Sequence, residues 1–464
     1  MEDVLKYLEE VNKIAKDRAC KAYLVGGAIR DSYLARKIKD IDIVINQRVE
    51  EIARFFADKN KASYFTLDES RAIFRVVVND FIFDFAQISG GSIQADLKRR
   101  DFTINALALP LEEIEDFAVK AIYEIVIDPC AGRNDLVEGL LRATNDSVFK
   151  DDPLRLWRIV RLKSKLNFAI SPDTIKLMEE DCPMAAEPAA ERIRAELLDF
   201  FSSNDIGGIV EDIEQKFNLF SVLIPEIAKM KETGENQDHQ EDAWQHCLQV
   251  LKMLEKILLE DKYAKLINKD QVYLLKIAAL LHDIGKLHTK SVKNKKVHYY
   301  GHEHKGAEMI VPILKKLKFS KEEIFFIRSI VANHMRPMLL YIAENLTDKG
   351  RNRFFREVGD MTPVVLLHSL ADKLAAMKVN QGKKEMDTYC QYIDEILALY
   401  EEYKTKTKEL FLSGQEIIDL FSLEEGPLVG KVLDKLTDLQ ALGKINNKEE
   451  AISYLENYIK DLNN

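Results

Sequence analysis

The sequence predicts an α+β protein in which a small N-terminal sheet domain is followed by an extended helical body. Three observations predict it. Strand-like alternation and a hairpin signal occur only within residues 1–140 of the 464-residue chain. Helical periodicity takes over from about residue 150 to the end. Glycine and proline are sparse, 19 and 11 residues, as long helices require.

The elements follow in order. Val4 to Ala15 has helical apolar spacing. Ala22-Tyr23-Leu24-Val25 reads as a short buried strand, stopped by Gly26-Gly27, and Ala28 to Ala35 as a helix. Asp40 to Ile45 alternates as a strand does. Arg71 to Val78 and Phe81 to Ala86 form two more strands around the turn Asn79-Asp80. The polar run Glu232 to Asn236 reads as a loop and marks a boundary. In the tail, Leu412 to Asn464, Gly414, Gly426, Gly430 and Gly443 separate short helical runs. The expected segments are residues 1–140, 141–235, 236–405 and 406–464.

Composition narrows the function classes. With 47% hydrophobic and 31% charged residues, the chain can bury real cores and is not intrinsically disordered. Its net charge of −10 argues against a generic nucleic-acid coat, while a local basic track remains open. No stretch approaches the roughly 18 apolar residues of a membrane span. The acidic start Met1-Glu2-Asp3-Val4 lacks an apolar leader, so a cytoplasmic protein is expected. Five scattered cysteines without a CxxC pair exclude a disulfide scaffold and a cysteine zinc finger. All nine histidines lie between His239 and His368, which confines imidazole chemistry to the middle of the chain.

Two constellations carry chemistry. In the first, Asp40 and Asp42 stand two apart on a strand, which puts both carboxylates on one face. Adjacent carboxylates repel and suit a hard divalent cation such as Mg²⁺, which leaves room for substrate phosphates. Gly26-Gly27 lets backbone approach a triphosphate, and the helix behind it offers N–H groups to anions. Arg30 in its first turn could add a cation, and Asp84, facing away from Phe81, Phe83 and Phe85, is a candidate third carboxylate. In isolation the Asp-x-Asp pair is also what a solvated strand end looks like.

The longer pattern is more specific. The runs Val25-Gly26-Gly27-Ala28-Ile29-Arg30-Asp31 and Lys39-Asp40-Ile41-Asp42 resemble the catalytic head of the class II tRNA nucleotidyltransferase and bacterial poly(A) polymerase family. Arg99-Arg100-Asp101-Phe102-Thr103-Ile104-Asn105-Ala106 resembles the family's RRDxxxNA motif. Asp128-Pro129 with Gly132 and Asp135-Leu136 resembles the turn that follows. Asp151-Asp152-Pro153-Leu154-Arg155, continued by Arg158 and Arg161, resembles the base-selecting motif, and Glu191 to Glu196 the helical motif after it. The family usually has Glu at the position of Asp151.

The resemblance implies a fold, an activity and partners. Asp40 and Asp42 would bind two Mg²⁺ ions, one at the RNA 3′-hydroxyl and one at the nucleotide triphosphate. Arg99, Arg100, Asp101 and Asn105 would contact sugar and phosphates. Asp152 and Arg155 would read the base, favouring C and A, which carry an exocyclic amine, over U and G. The Arg155–Arg158–Arg161 stripe would bind phosphate, although its outer members equally suit a solvated face; Asp152 also suits a helix cap and Asp101 a structural partner of Arg99 or Arg100. The partners would be tRNA, CTP and ATP. The short stretch Phe85 to Lys98 resembles the CC-adding subgroup, which leaves the terminal A to a separate enzyme. Full CCA addition, poly(A) polymerisation, hydrolysis of RNA ends and non-catalytic RNA binding are the rivals.

In the second constellation, Leu281-His282-Asp283-Ile284-Gly285-Lys286 follows an apolar run, with His246 upstream and His302, His334 and Asp372 downstream. Imidazole and carboxylate ligands spread over several helices can enclose one or two divalent ions, and imidazole points to a transition metal. The order resembles the HD phosphohydrolase superfamily, which implies hydrolysis of phosphate esters. His239, His288, His298, His304 and His368 are expected at the surface or behind the ligands. Lys286, Lys290, Lys293, Lys295 and Lys296 either attract phosphate or solvate a loop. The tail resembles the family's tRNA-gripping helical module, which would read duplex RNA by shape and backbone.

Overall fold

The computed structural model describes residues 2–114, 125–233, 242–294, 296–343, 347–377 and 383–462. It forms two compact units, Met1–Phe200 with Ile213–Leu223, and Phe201–Asp212 with Ile224–Asn464. Most of the loop read at 232–236, as well as His239 and Lys295, lies outside the described residues.

The first unit is built on a six-stranded sheet in the order β3-β4-β5-β2-β1-β6. The strands are β1 Ala22–Val25, β2 Asp40–Ile45, β3 Ser63–Asp68, β4 Ile73–Val78, β5 Phe81–Gln87 and β6 Ala108–Pro110. β4 and β5 pair as the expected hairpin, with Val78 opposite Phe81 and Asn79 in left-handed backbone. The remaining neighbours are antiparallel except β2 and β5, whose parallel register sets Asp42 beside Asp84.

Aromatic packing fixes that register. Phe83 and Phe85 are fully buried and meet Phe56 of the helix Val49–Asn60 at 5.1 and 5.7 Å between ring centroids. Because side chains alternate, burying these two rings turns Asp84 to the opposite face. Sequence pattern did not disclose β3, β6 or this helix. β3 is an edge strand with little burial, so it lacks an apolar alternation, and β6 has three residues, too few for a period.

The helix Arg155–Leu166 buries Leu156, Trp157, Ile159, Val160 and Leu162, and Trp157 donates its indole N–H to the Ala185 carbonyl at 2.8 Å. Packing of that face turns Arg155, Arg158 and Arg161 the other way. The second unit is helical. In the helix Val272–Leu281 every residue from Leu274 to Leu281 is buried, which makes it the central helix that carries His282 at its end. The hairpin Lys290–Lys293/Lys296–Tyr299 interrupts the helical pattern there, as the paired strands Leu140–Leu141 and Ala169–Ile170 do in the first unit. The tail helices Gly414–Phe421, Pro427–Ala441 and Lys448–Leu462 share a core of Ile417, Val432, Leu436 and Leu455. Among the described residues no helix is long and apolar enough to cross a membrane.

Candidate active site and metal centre

Asp40 and Asp42 open onto a cleft of about 1520 Å³ in the first unit, together with Gly26, Gly27 and arginines from three elements. Asp42 is half-buried. Burial pushes its carboxyl above the ordinary range; Arg100 pulls the other way, and Asp84 and Asp40 add to the rise. Gly26 is what keeps the site open: its φ is +74°, and a Cβ there would stand 3.2 Å from Nη1 of Arg100 and 3.4 Å from Oδ2 of Asp42. Asp84 stands beside Asp42 in the sheet, but its carboxylate accepts two hydrogen bonds of 2.7 Å from Arg75.

The motif residues form one polar chain across the cleft. Arg30 grips Asp31 with Nε and Nη2 at 2.9 Å and donates from Nη1 to Oδ1 of Asn105 at 2.7 Å. Asn105 donates to Asp101 at 3.1 Å, and Asp101 pairs with Arg158 at 3.2 Å. Burial raises the Asp101 carboxyl, yet Arg158, Asn105 and the Phe102 N–H outweigh it and hold it below its ordinary value. Arg30 and Asn105 therefore position the cleft wall, and Asp101 partners Arg158 rather than its neighbours Arg99 and Arg100. Arg100 is held by Asp96 at 3.1 Å, while Arg99 is exposed at the rim. Asp135 steadies the same segment by accepting from the Thr103 hydroxyl at 2.6 Å.

The residues expected to read the base are placed but not paired with each other. Arg155 donates to the Val148 and Arg99 carbonyls at 3.1 and 2.9 Å, which ties the helix to the RRD segment. Asp152 accepts from the Leu154 N–H at 3.2 Å and from Arg192 at 2.8 Å, so it caps the turn and holds the neighbouring helix. Asp151 accepts from the Ser147 hydroxyl at 2.9 Å. Arg161 is bound to Glu196 and lies 3.4 Å from Asp199. Arg192 and Glu196 were legible only as parts of a motif; their partners are tertiary.

In the second unit the six expected ligands converge. His246 Nε2 lies 2.9 Å from Asp372 Oδ1 and 3.8 Å from Asp283 Oδ2. His282 Nε2 lies 3.4 Å from Asp283 Oδ2, and His302 Nε2 lies 3.2 Å from Asp283 Oδ1. His302 and His334 meet Nε2 to Nε2 at 3.1 Å. Three rings are oriented alike: Nδ1 of His282, His302 and His334 donates to the carbonyl three residues earlier, at 2.7–2.9 Å. In the neutral imidazole this fixes the tautomer and turns the Nε2 lone pair inward, the form in which a metal is bound. Burial, followed by the charge of His282, pushes His334 down to about 3. Burial raises Asp283, but Lys286 and His282 hold it well below the ordinary carboxylate range.

Gly285 is required here by close approach, since a Cβ would fall 2.0 Å from the His302 carbonyl oxygen. His368 is fully buried and stacks edge-on to His282 at 4.8 Å, behind the ligands. His288 and His304 are exposed. Sequence reasoning missed Cys247, whose thiol lies 3.5 Å from Nδ1 of His282; adjacency to His246 was the only signal.

Residues 22–142 match the Poly A polymerase head domain, residues 167–231 the probable RNA- and SrmB-binding site of polymerase A, and residues 243–377 the HD domain. The Multifunctional CCA protein of Actinobacillus pleuropneumoniae serotype 5b is 31% identical over 320 residues, covering 65% of this chain and 72% of the relative. The chain belongs to the tRNA nucleotidyltransferase family. Family relatives also align end to end. The A-adding tRNA nucleotidyltransferase of Deinococcus radiodurans is 29% identical over 95% of this chain and 96% of its own length. The CC-adding enzyme of Thermus thermophilus is 29% identical over 94% and 93%. The Thermotoga maritima CCA-adding enzyme, solved in complex with tRNA, shares the fold at a TM-score of 0.65 and 18% identity, over 99% of this chain and 96% of that one.

Proposed function

We propose that this enzyme adds C residues to the 3′ end of tRNA from CTP, without a template, and leaves the terminal A to a separate enzyme. The observation that carries the reading is the Asp40–Asp42 pair facing the Gly26–Gly27 turn in an arginine-lined cleft. The restriction to C is supported by the segment after β5. It is a tight 3₁₀ turn, Ser89–Gly91, followed at once by the helix Ile93–Lys98, which Ser92 caps at the Ala95 N–H. Asp96 accepts from the Ser89 N–H at 2.9 Å and closes the turn. A pocket with so little slack suits one base size.

The donor set fits a hard divalent cation: two carboxylate-bearing positions on one strand face, an Asp42 carboxyl raised by burial, and a glycine that leaves the space open. Asp40 and Asp42 would hold Mg²⁺, which supplies charge for the triphosphate and activates the attacking hydroxyl. The chain's own residues do the positioning. Arg99 and Arg100 bring positive charge to the phosphates. The Arg30–Asn105–Asp101–Arg158 chain keeps the cleft walls in register. Asp152 and Arg155 would read the base edge. The HD centre fits a transition metal, with imidazole Nε2 donors and the shared carboxylate of Asp283; bound there, such an ion would support phosphate-ester hydrolysis.

The test uses purified protein and a tRNA ending at its discriminator base, with CTP and ATP separately and together. Two C residues with CTP, and no further growth with ATP, are expected. A second reading, A addition, is favoured by the end-to-end likeness to the D. radiodurans enzyme. It predicts growth by one residue on tRNA ending in CC with ATP alone. A ladder longer than three residues would indicate poly(A) polymerisation.

A further inference from the structure

Between Asp283 and His302 the chain changes electrostatic character. Residues 284–301 contain five lysines and no aspartate or glutamate, in a chain of net charge −10. Much of this stretch is the antiparallel hairpin Lys290–Lys293/Lys296–Tyr299, which sets Lys293 directly opposite Lys296. A solvated loop would have no need of the apolar groups the hairpin exposes. Val292 and Tyr300 are each 70% exposed. The rings of His298 and Tyr300 stack at 5.1 Å between centroids with only 11° between their planes.

Both roots of the hairpin end in the metal centre. On one side Lys286 pairs with Asp283 and lies 5.6 Å over the Tyr299 ring. On the other, the Tyr299 carbonyl accepts from Nδ1 of His302 at 2.7 Å and so orients that ligand. We propose that this hairpin is a single-stranded RNA-binding arm leading to the histidine–aspartate centre. Lysines that track phosphates, together with an exposed aromatic stack that offers π-faces to bases, are the two parts of a single-strand site. The choice of RNA among polyanions rests on the reading of the chain as an enzyme of tRNA ends.

Cross-linking locates the contact. Full-length protein loaded with Mn²⁺ is irradiated with a short oligouridylate carrying 4-thiouridine, and the modified peptides are mapped by mass spectrometry. Cross-links at Tyr299 or Tyr300 are expected; cross-links confined to residues outside 286–302 overturn the proposal. Fluorescence anisotropy of the same oligonucleotide supplies the energetics. Lys290→Gln with Lys293→Gln should flatten the slope of log affinity against log salt by about 1.4, two phosphates at about 0.7 each. Tyr300→Ala should weaken binding roughly tenfold, and Tyr300→Trp should restore it. An unchanged slope, or binding of anionic phosphatidylglycerol vesicles with none of RNA, also overturns it. A cross-link at the hairpin without nucleotide addition sinks only the reading of the head. Nucleotide addition without the cross-link sinks only the arm.

Discussion

Replacing Gly26 by alanine puts a methyl group between Arg100 and Asp42 in the cleft. Gly26 has φ +74° and ψ −134°, a conformation that an L side chain adopts at a cost of about 1–3 kcal/mol. The added Cβ would lie 3.2 Å from Arg100 and 3.4 Å from Asp42, so one of them must move by a few tenths of an ångström. Since a misplacement of about 1 Å costs on the order of 10²-fold in rate, a shift of this size should cost roughly tenfold. Gly359→Ala is the matched control: its φ is +59° and its ψ −138°, and nothing lies within 4 Å of the added carbon. Both variants should lose similar thermal stability, read by calorimetry. Only Gly26→Ala should slow single-turnover incorporation of CTP into tRNA. Equal incorporation rates for the two variants would refute the argument that the approach of this turn to Asp42 matters for transfer.

Asp42→Ala should leave the fold intact and lower Mg²⁺-dependent nucleotide addition by roughly 10³-fold or more, read as extended tRNA on a gel. Arg155→Ala should raise UTP and GTP misincorporation relative to CTP by about tenfold, the worth of one good base contact; lost binding with unchanged discrimination would make Arg155 a phosphate ligand instead. His282→Ala combined with Asp283→Ala should bring protein-bound Mn²⁺ or Ni²⁺ to background, measured by elemental analysis after dialysis, while CTP incorporation stays within about twofold. Lys276, 2% exposed, donates to Glu255 at 2.8 Å and to the Ser203 carbonyl at 2.6 Å. Lys276→Met should therefore cost about 3 kcal/mol in thermal unfolding, because it takes the lysine charge from the Glu255 carboxylate and leaves it the Ile206 and Gly207 N–H groups.

The strand Asp40–Ile45, the hairpin at Asn79-Asp80 and the helix after Gly26-Gly27 were legible because each is a local pattern: a period of two, a turn dipeptide, a glycine break. The histidine–aspartate cluster was legible for a different reason. Histidine and aspartate in that order, on otherwise apolar helices, are hard to explain as packing. β3 was not legible, since an edge strand buries too little to carry a pattern. The partners of Arg30 were not legible. Its place in the first turn suggests a phosphate cation, whereas Asp31 and Asn105 take up its guanidinium, and Asn105 lies 75 residues away.

Residue order alone was enough to decide which chemistries are present, because carboxylate pairs, imidazole clusters and glycine turns are chemical types written directly in the chain. It also decided the α+β class, through periods that each strand or helix expresses alone. The partner of each charge was decided elsewhere. That Asp84 binds Arg75, that Asp101 binds Arg158, and that Cys247 lies against His282 follow from strand register and helix packing. These are set by burying Phe83, Phe85, Trp157 and the apolar helix Val272–Leu281. An ion pair of a few ångströms across tens of residues has no local signature, because the cores that bring its ends together lie outside the segments that carry the charges.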